Sequence, residues 1–140
     1  MHTTLIAFDG SDHARRAVAH VVKLHQEHGG IRVQLVNVEP APVEWQTHGL
    51  GREATEAHLR ELGEKKLQVG RAMLEKARVP HEARVILGEP AHAIADAAKD
   101  LGCDGIVMGT RGLGSVAGLL MGSVATKVLH LTELPVTLVK

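Results

Sequence analysis

The chain has 140 residues, 16 basic and 16 acidic side chains and 10 histidines, so its formal net charge at neutral pH is zero. That length corresponds to one domain spanning 1–140, and 44% hydrophobic with 23% charged residues exclude disordered, collagen-like and coiled-coil classes. The balanced charge lacks the basic footprint of a nucleic-acid binder, and the single cysteine, Cys103, closes no intramolecular disulfide and builds no multi-thiolate zinc site.

Taken in chain order, Thr4 to Phe8 is a short apolar run ending at the turn cluster Asp9-Gly10-Ser11-Asp12, a strand followed by a helix cap. No cationic stretch precedes it, so no secretory leader is expected. No run of about 18 apolar residues follows anywhere, so neither a transmembrane helix nor a membrane partner is expected, and the expected address is the cytoplasm. From His13 to His28, Ala14, Ala17, Val18, Val21, Val22 and Leu24 recur at helical spacing, closed by Gly29-Gly30. Ile31 to Val38 is a second strand, dense in β-branched residues. Pro40 and Pro42 open a loop that carries Trp45.

Gly51 to Val79 reads as one long helix ended by Pro80, with Leu59, Leu62, Val69, Met73, Leu74 and Ala77 as its buried face. His81 to Leu87 is a third strand, and Gly88-Glu89-Pro90 starts a helix that runs to Leu101. Cys103 to Met108 is the fourth strand, Ser123 to Leu131 the last helix and Pro135 to Val139 the last strand.

Strands and helices therefore alternate strictly, and the strands are nearly continuous apolar runs. This pattern predicts an α/β fold, a five-stranded parallel doubly wound sheet in the order 3-2-1-4-5 with helices on both faces. In such sheets ligands bind beyond the carboxyl ends of the strands, where strand order reverses. Here the reversal lies between strands one and four, at Asp9-Gly10-Ser11-Asp12 and at the segment that begins with Gly109.

That second segment, Gly109 to Ser123, contains five glycines. Placing Gly118 and Gly122 inside a helix would cost about 1 kcal/mol each relative to alanine, so a loop running to a helix start at Gly122-Ser123 is expected. Glycines let backbone N–H groups converge on an anion, and a helix N-terminus adds its free amides and dipole. The segment thus reads as a phosphate cradle, with Arg111 as a fixed charge. It is neither a Walker A loop nor a dinucleotide-binding Gly-x-Gly-x-x-Gly.

Gly109, Gly112, Gly122 and Ser123 follow one another as Gly, two residues, Gly, nine residues, Gly-Ser, a spacing that chance supplies about 0.01 times in this composition. In this the chain resembles the nucleotide-binding members of the universal stress protein family. Asp9-Gly10-Ser11 resembles the family's first turn, and Pro135-Val136-Thr137-Leu138-Val139 its last strand. The resemblance implies an adenine nucleotide, ATP or AMP, as ligand. Asp9 would face the ribose hydroxyls or a nucleotide-bound Mg²⁺. Ala7 and Val38 would lie against adenine, with Val38 offering backbone hydrogen bonds. Met108, Gly109, Arg111 and Gly112 would line ribose and phosphates, and Gly122, Ser123 and Val124 would cap the phosphates. It also implies a homodimer joined through the last strand, at Val136 and Leu138. Two positions depart from the pattern: Ala125 stands where many binders carry a second hydroxyl, and Ala7 replaces a residue that is often larger.

Plainer roles stand beside these. Asp9 is also a normal turn and capping residue, Gly122-Ser123 also a plain helix start, and Arg111 also a solvated loop charge. His25 and His28 share a helix face without a full ligand set, so the histidines do not define a metal site. The functional reading is a dimeric, nucleotide-binding stress-response sensor or regulator. The alternatives are a slow ATPase or phosphate-transfer enzyme, and a nucleotide-free interaction scaffold.

Overall fold

The computed structural model describes residues 2–41, 51–112 and 121–140. Trp45, and Gly114 and Gly118 of the glycine-rich segment, lie outside the described residues. The elements are β1 (His2–Ala7), α1 (Asp12–His28), β2 (Ile31–Glu39), α2 (Arg52–Lys76), β3 (His81–Leu87), α3 (Pro90–Asp100), β4 (Gly105–Gly109), α4 (Ser123–Leu131) and β5 (Val136–Val139). They form one five-stranded sheet in the order β3-β2-β1-β4-β5, and every strand pair is parallel. The predicted class and strand order are those observed.

Alternation within the strands builds two cores, one on each face of the sheet. Leu5 and Ile6 are neighbours in β1 and both have no solvent exposure, yet they point to opposite sides. Ile6, Phe8, Val18, Leu35, Leu67, Leu74 and Val107 pack beneath α1 and α2. Leu5, Val36, Ile94, Ile106, Met108 and Val128 pack beneath α3 and α4. Burial on both faces is the reason the strands carry continuous apolar runs.

The long helix differs from its sequence reading in two ways. Leu74, Met73 and Ala77 face the core as predicted, but the buried stripe is Gly63, Leu67, Gly70 and Leu74, and Leu62 and Val69 are 39% and 45% exposed. The two glycines explain the rotation. A Cβ at Gly63 would stand 2.6 Å from Asn37 Oδ1 and 2.7 Å from Val85 Cγ1, and one at Gly70 would stand 2.9 Å from Leu35 Cδ2. The helix therefore lies on the sheet by its glycines, a face that counting apolar residues overlooks. Its end also comes earlier than Pro80. Arg78 adopts a left-handed conformation (φ 57°), Val79 N donates to Leu74 O and Arg78 N donates to Glu75 O, the paired bonds of a Schellman stop. Among the described residues, no helix is long and apolar enough to cross a membrane.

Candidate nucleotide site

β1 and β4 lie side by side at the centre of the sheet, and their carboxyl ends lead to helices on opposite faces. The chain diverges there, and a cavity of about 420 Å³ opens between the departing loops. Its volume falls within the range of small-molecule sites. Ala7, Asp9, Val38, Met108, Gly109, Arg111, Gly112, Gly122, Ser123 and Val124 all line it. The structure thus brings every sequence-predicted site residue to one place, from four separate strands and helices.

One wall is apolar. Val36, Val38, Ile94 and Met108 belong to the core beneath α3 and α4, so the cavity is the open top of that core. The other side is polar, with Asp9, Thr110, Arg111 and the first turn of α4. Asp9 is held by its own turn: its Oδ1 accepts from Ser11 N at 2.9 Å, while Gly10 takes a positive φ of 84°. A side chain at Gly112 would collide with Asp9 Oδ2, and one at Gly109 would stand 2.5 Å from His13 Cβ. These two motif glycines therefore already have packing reasons within the protein. The plainer reading of Asp9 as a turn residue and its placement in the cavity hold together.

Gly122 is different. It is the N-cap of α4 with φ −72° and ψ 163°, a backbone conformation open to any residue. The cap makes no side-chain hydrogen bond. Gly122 N donates to Thr110 O at 2.6 Å and Thr110 N to Val139 O at 2.9 Å, which pins the mouth of α4 to the end of β4. The two other helices whose first turns border the cavity are capped by side chains. Ser11 Oγ accepts from Ala14 N at the start of α1. At the start of α3, Glu89 accepts from Ala91 N at 3.3 Å and His92 N at 2.9 Å. Of these three helix N-termini, only that of α4 faces the cavity without a side-chain cap.

Arg111 lines the same cavity, and its Nε is buried with no hydrogen-bond partner. A guanidinium with an unused donor beside an uncapped helix mouth is an arrangement suited to an anion. Sequence reasoning missed Lys66, Pro90 and Ile94, which also line the cavity. Pro90 was marked as a helix start, and every helix of a parallel sheet that follows a strand opens at this edge, so α3 was within reach of inference. Lys66 had no such signal. It comes from the middle of α2 and pairs at 2.7 Å with Oε1 of Glu39, one residue beyond the strand end that the sequence predicts.

The comparisons with known proteins agree with this architecture. The model of the family described as "Universal stress protein family" matches residues 1–140. A relative from Thermus aquaticus, "Universal stress protein in QAH/OAS sulfhydrylase 3'region", is 41% identical over 140 residues, covering 99% of this chain and 98% of its own. The solved structure of hypothetical protein MJ0577 superposes with a TM-score of 0.85 at 26% identity, covering 99% of this chain and 94% of the other. A universal stress protein family protein from Arabidopsis thaliana, solved with AMP bound, has a TM-score of 0.70 at 18% identity, with 100% and 91% covered. By sequence along its whole length and by fold, the chain belongs to the universal stress protein family.

Proposed function

We propose that the cavity binds an adenine nucleotide and that the protein works as a nucleotide-responsive sensor or regulator in a stress response. The observation that carries this reading is the mouth of α4, which meets Arg111 and Asp9 around one cavity whose opposite wall is apolar. An apolar slot beside converging N–H donors suits a base joined to a phosphate. In this reading Ala7 and Val38 pack against adenine, and Met108 lies along the ribose. Val36 O accepts from Phe8 N at 2.8 Å and the pairing of β1 with β2 ends at Ala7, so Val38 lies one step beyond the paired region. By strand alternation, Val38 turns its backbone groups to the same side as Val36, toward the base. Asp9 accepts from ribose hydroxyls or holds a Mg²⁺ that accompanies the nucleotide, a role its hard oxygens suit. Gly112, Ser123 and Val124 close around the phosphates. The family member from Arabidopsis thaliana with AMP bound supports the ligand class by analogy of fold.

The test is to denature the purified protein, identify any released nucleotide, and titrate the refilled site by calorimetry. Micromolar affinity for AMP or ATP is expected, with a melting temperature that rises with ligand concentration. A flat titration for every adenine nucleotide would leave the interaction scaffold as the better reading. Turnover above about 1 s⁻¹ would make the protein an enzyme instead.

We also propose a homodimer through β5. This strand is an edge of the sheet, and its Val136 and Leu138 are only partly buried. Pairing two such edges about a two-fold axis satisfies the open backbone and covers both side chains. Sedimentation should give twice the chain mass for the wild type and the single-chain mass for Val136→Asp. A variant that stays dimeric would place the contact elsewhere.

A further inference from the structure

Two basic side chains line the cavity among the described residues, Lys66 and Arg111. The segments 42–50 and 113–120 contain neither lysine nor arginine, so they add no permanent cation. The two cations are not equivalent. Lys66 Nζ lies 2.7 Å from Glu39 Oε1, and the Glu39 side chain is only 5% exposed, against 25% for Lys66. Moving the ammonium toward a ligand would strand a carboxylate where water hardly reaches it, which is strongly unfavourable. Glu39 Oε1 is buried and makes no hydrogen bond, so its contact with Lys66 is purely ionic and the ammonium is what offsets its charge. Arg111 keeps a buried Nε with no hydrogen-bond partner. The uncapped amides of α4 supply directed donors but no net charge.

We propose that the Glu39–Lys66 pair is a specificity determinant of this cavity. It withholds the Lys66 ammonium, leaves Arg111 as the cation for the ligand, and so selects nucleoside monophosphates over metal-free triphosphates. One phosphate group carries roughly −1.5 to −2 charges, which Arg111 and a helix N-terminus balance. The additional charge of a triphosphate would need either Lys66 or a divalent cation. This inference rests on the nucleotide reading given above.

The experiment is calorimetry on the full chain with AMP, with ATP in the absence of divalent cations, and with ATP plus Mg²⁺. AMP should bind at least about tenfold more tightly than metal-free ATP, and Mg²⁺ should recover most of the gap. Glu39→Gln frees Lys66, and should narrow the AMP-to-ATP ratio at least about fivefold by strengthening metal-free ATP. Equal affinities for AMP and metal-free ATP in the wild type overturn the proposal. So does an unchanged ratio in a folded Glu39→Gln protein. Should that variant not fold, the wild-type ratio decides alone. Binding without discrimination rejects this inference and keeps the nucleotide reading, whereas no binding of any adenine nucleotide rejects both.

Discussion

The N-termini of α3 and α4 open at the same edge of the sheet and border the same cavity, but they treat their free amides in opposite ways. At α3, Pro90 has no N–H to satisfy, and Glu89 folds back to accept from Ala91 N and His92 N. Its carboxylate also meets His92 Nδ1 at 2.5 Å and Lys127 Nζ at 3.5 Å. The helix has thus supplied its own anion. At α4 the cap position is a glycine in an ordinary conformation, with no side chain to fold back. The same physical device, a positive helix end rich in donors, is closed in one helix and open in the other. On the reading proposed above, the open end is the one that receives the phosphate.

The comparison breaks most sharply if α4 is given what α3 has. Gly122→Asp places a carboxylate at the cap, where the φ of −72° accepts it without strain. Nucleotide affinity should fall at least about 100-fold through competition and like-charge repulsion. Stability should hold or rise by a few tenths of a kcal/mol, because aspartate caps somewhat better than glycine. A folded variant that binds nucleotide as well as the wild type would show that the mouth of α4 holds no phosphate.

The reverse change is smaller. Glu89→Ala removes the cap of α3, and should cost about 0.5–1 kcal/mol, or about 2–4 °C in melting temperature, with nucleotide affinity changed less than about twofold. The same residue gives a pH signature. The His92 backbone N–H and then the His92 ring hold the Glu89 carboxyl at about 2, below its ordinary 4.5, opposed by partial burial and helped to a lesser extent by Ala91 N and Lys127. Because the folded value lies below the unfolded one, this contribution is complete above pH 4.5 and is lost as pH falls toward 2. Stability measured across that window should decline less steeply in Glu89→Ala than in the wild type. Parallel curves would mean that the cap contributes nothing to acid stability.

Much of this was readable along the chain. The third strand, His81–Leu87, and the last helix, Ser123–Leu131, have the boundaries that their apolar runs and flanking punctuation predict. The glycine spacing placed Gly109, Gly112, Gly122 and Ser123 at the crest before any coordinates, because strand order in a doubly wound sheet dictates which loops meet there. The face of α2 was readable only in part: Leu74 is in the core with Met73 and Ala77 packed against it, as predicted. Glycine carries no hydrophobic weight, so Leu62 and Val69 drew the eye to a side that water covers, while Gly63 and Gly70 made the contact. The separate purposes of the motif's glycines were equally hidden. Gly109 and Gly112 serve neighbours from the first turn, and only the coordinates bring His13 and Asp9 against them.

The amino-acid sequence alone determined the alternation of strands and helices, the two-sided burial of the sheet and the edge at which the cavity opens. Those are consequences of period and punctuation, which act over a few residues. Tertiary structure alone decided that Lys66 lies against Glu39 and that Arg111 Nε is left without a hydrogen-bond partner. Each of these depends on which groups distant in the chain come within bonding distance, and on how much water is excluded where they meet. No local pattern carries that information.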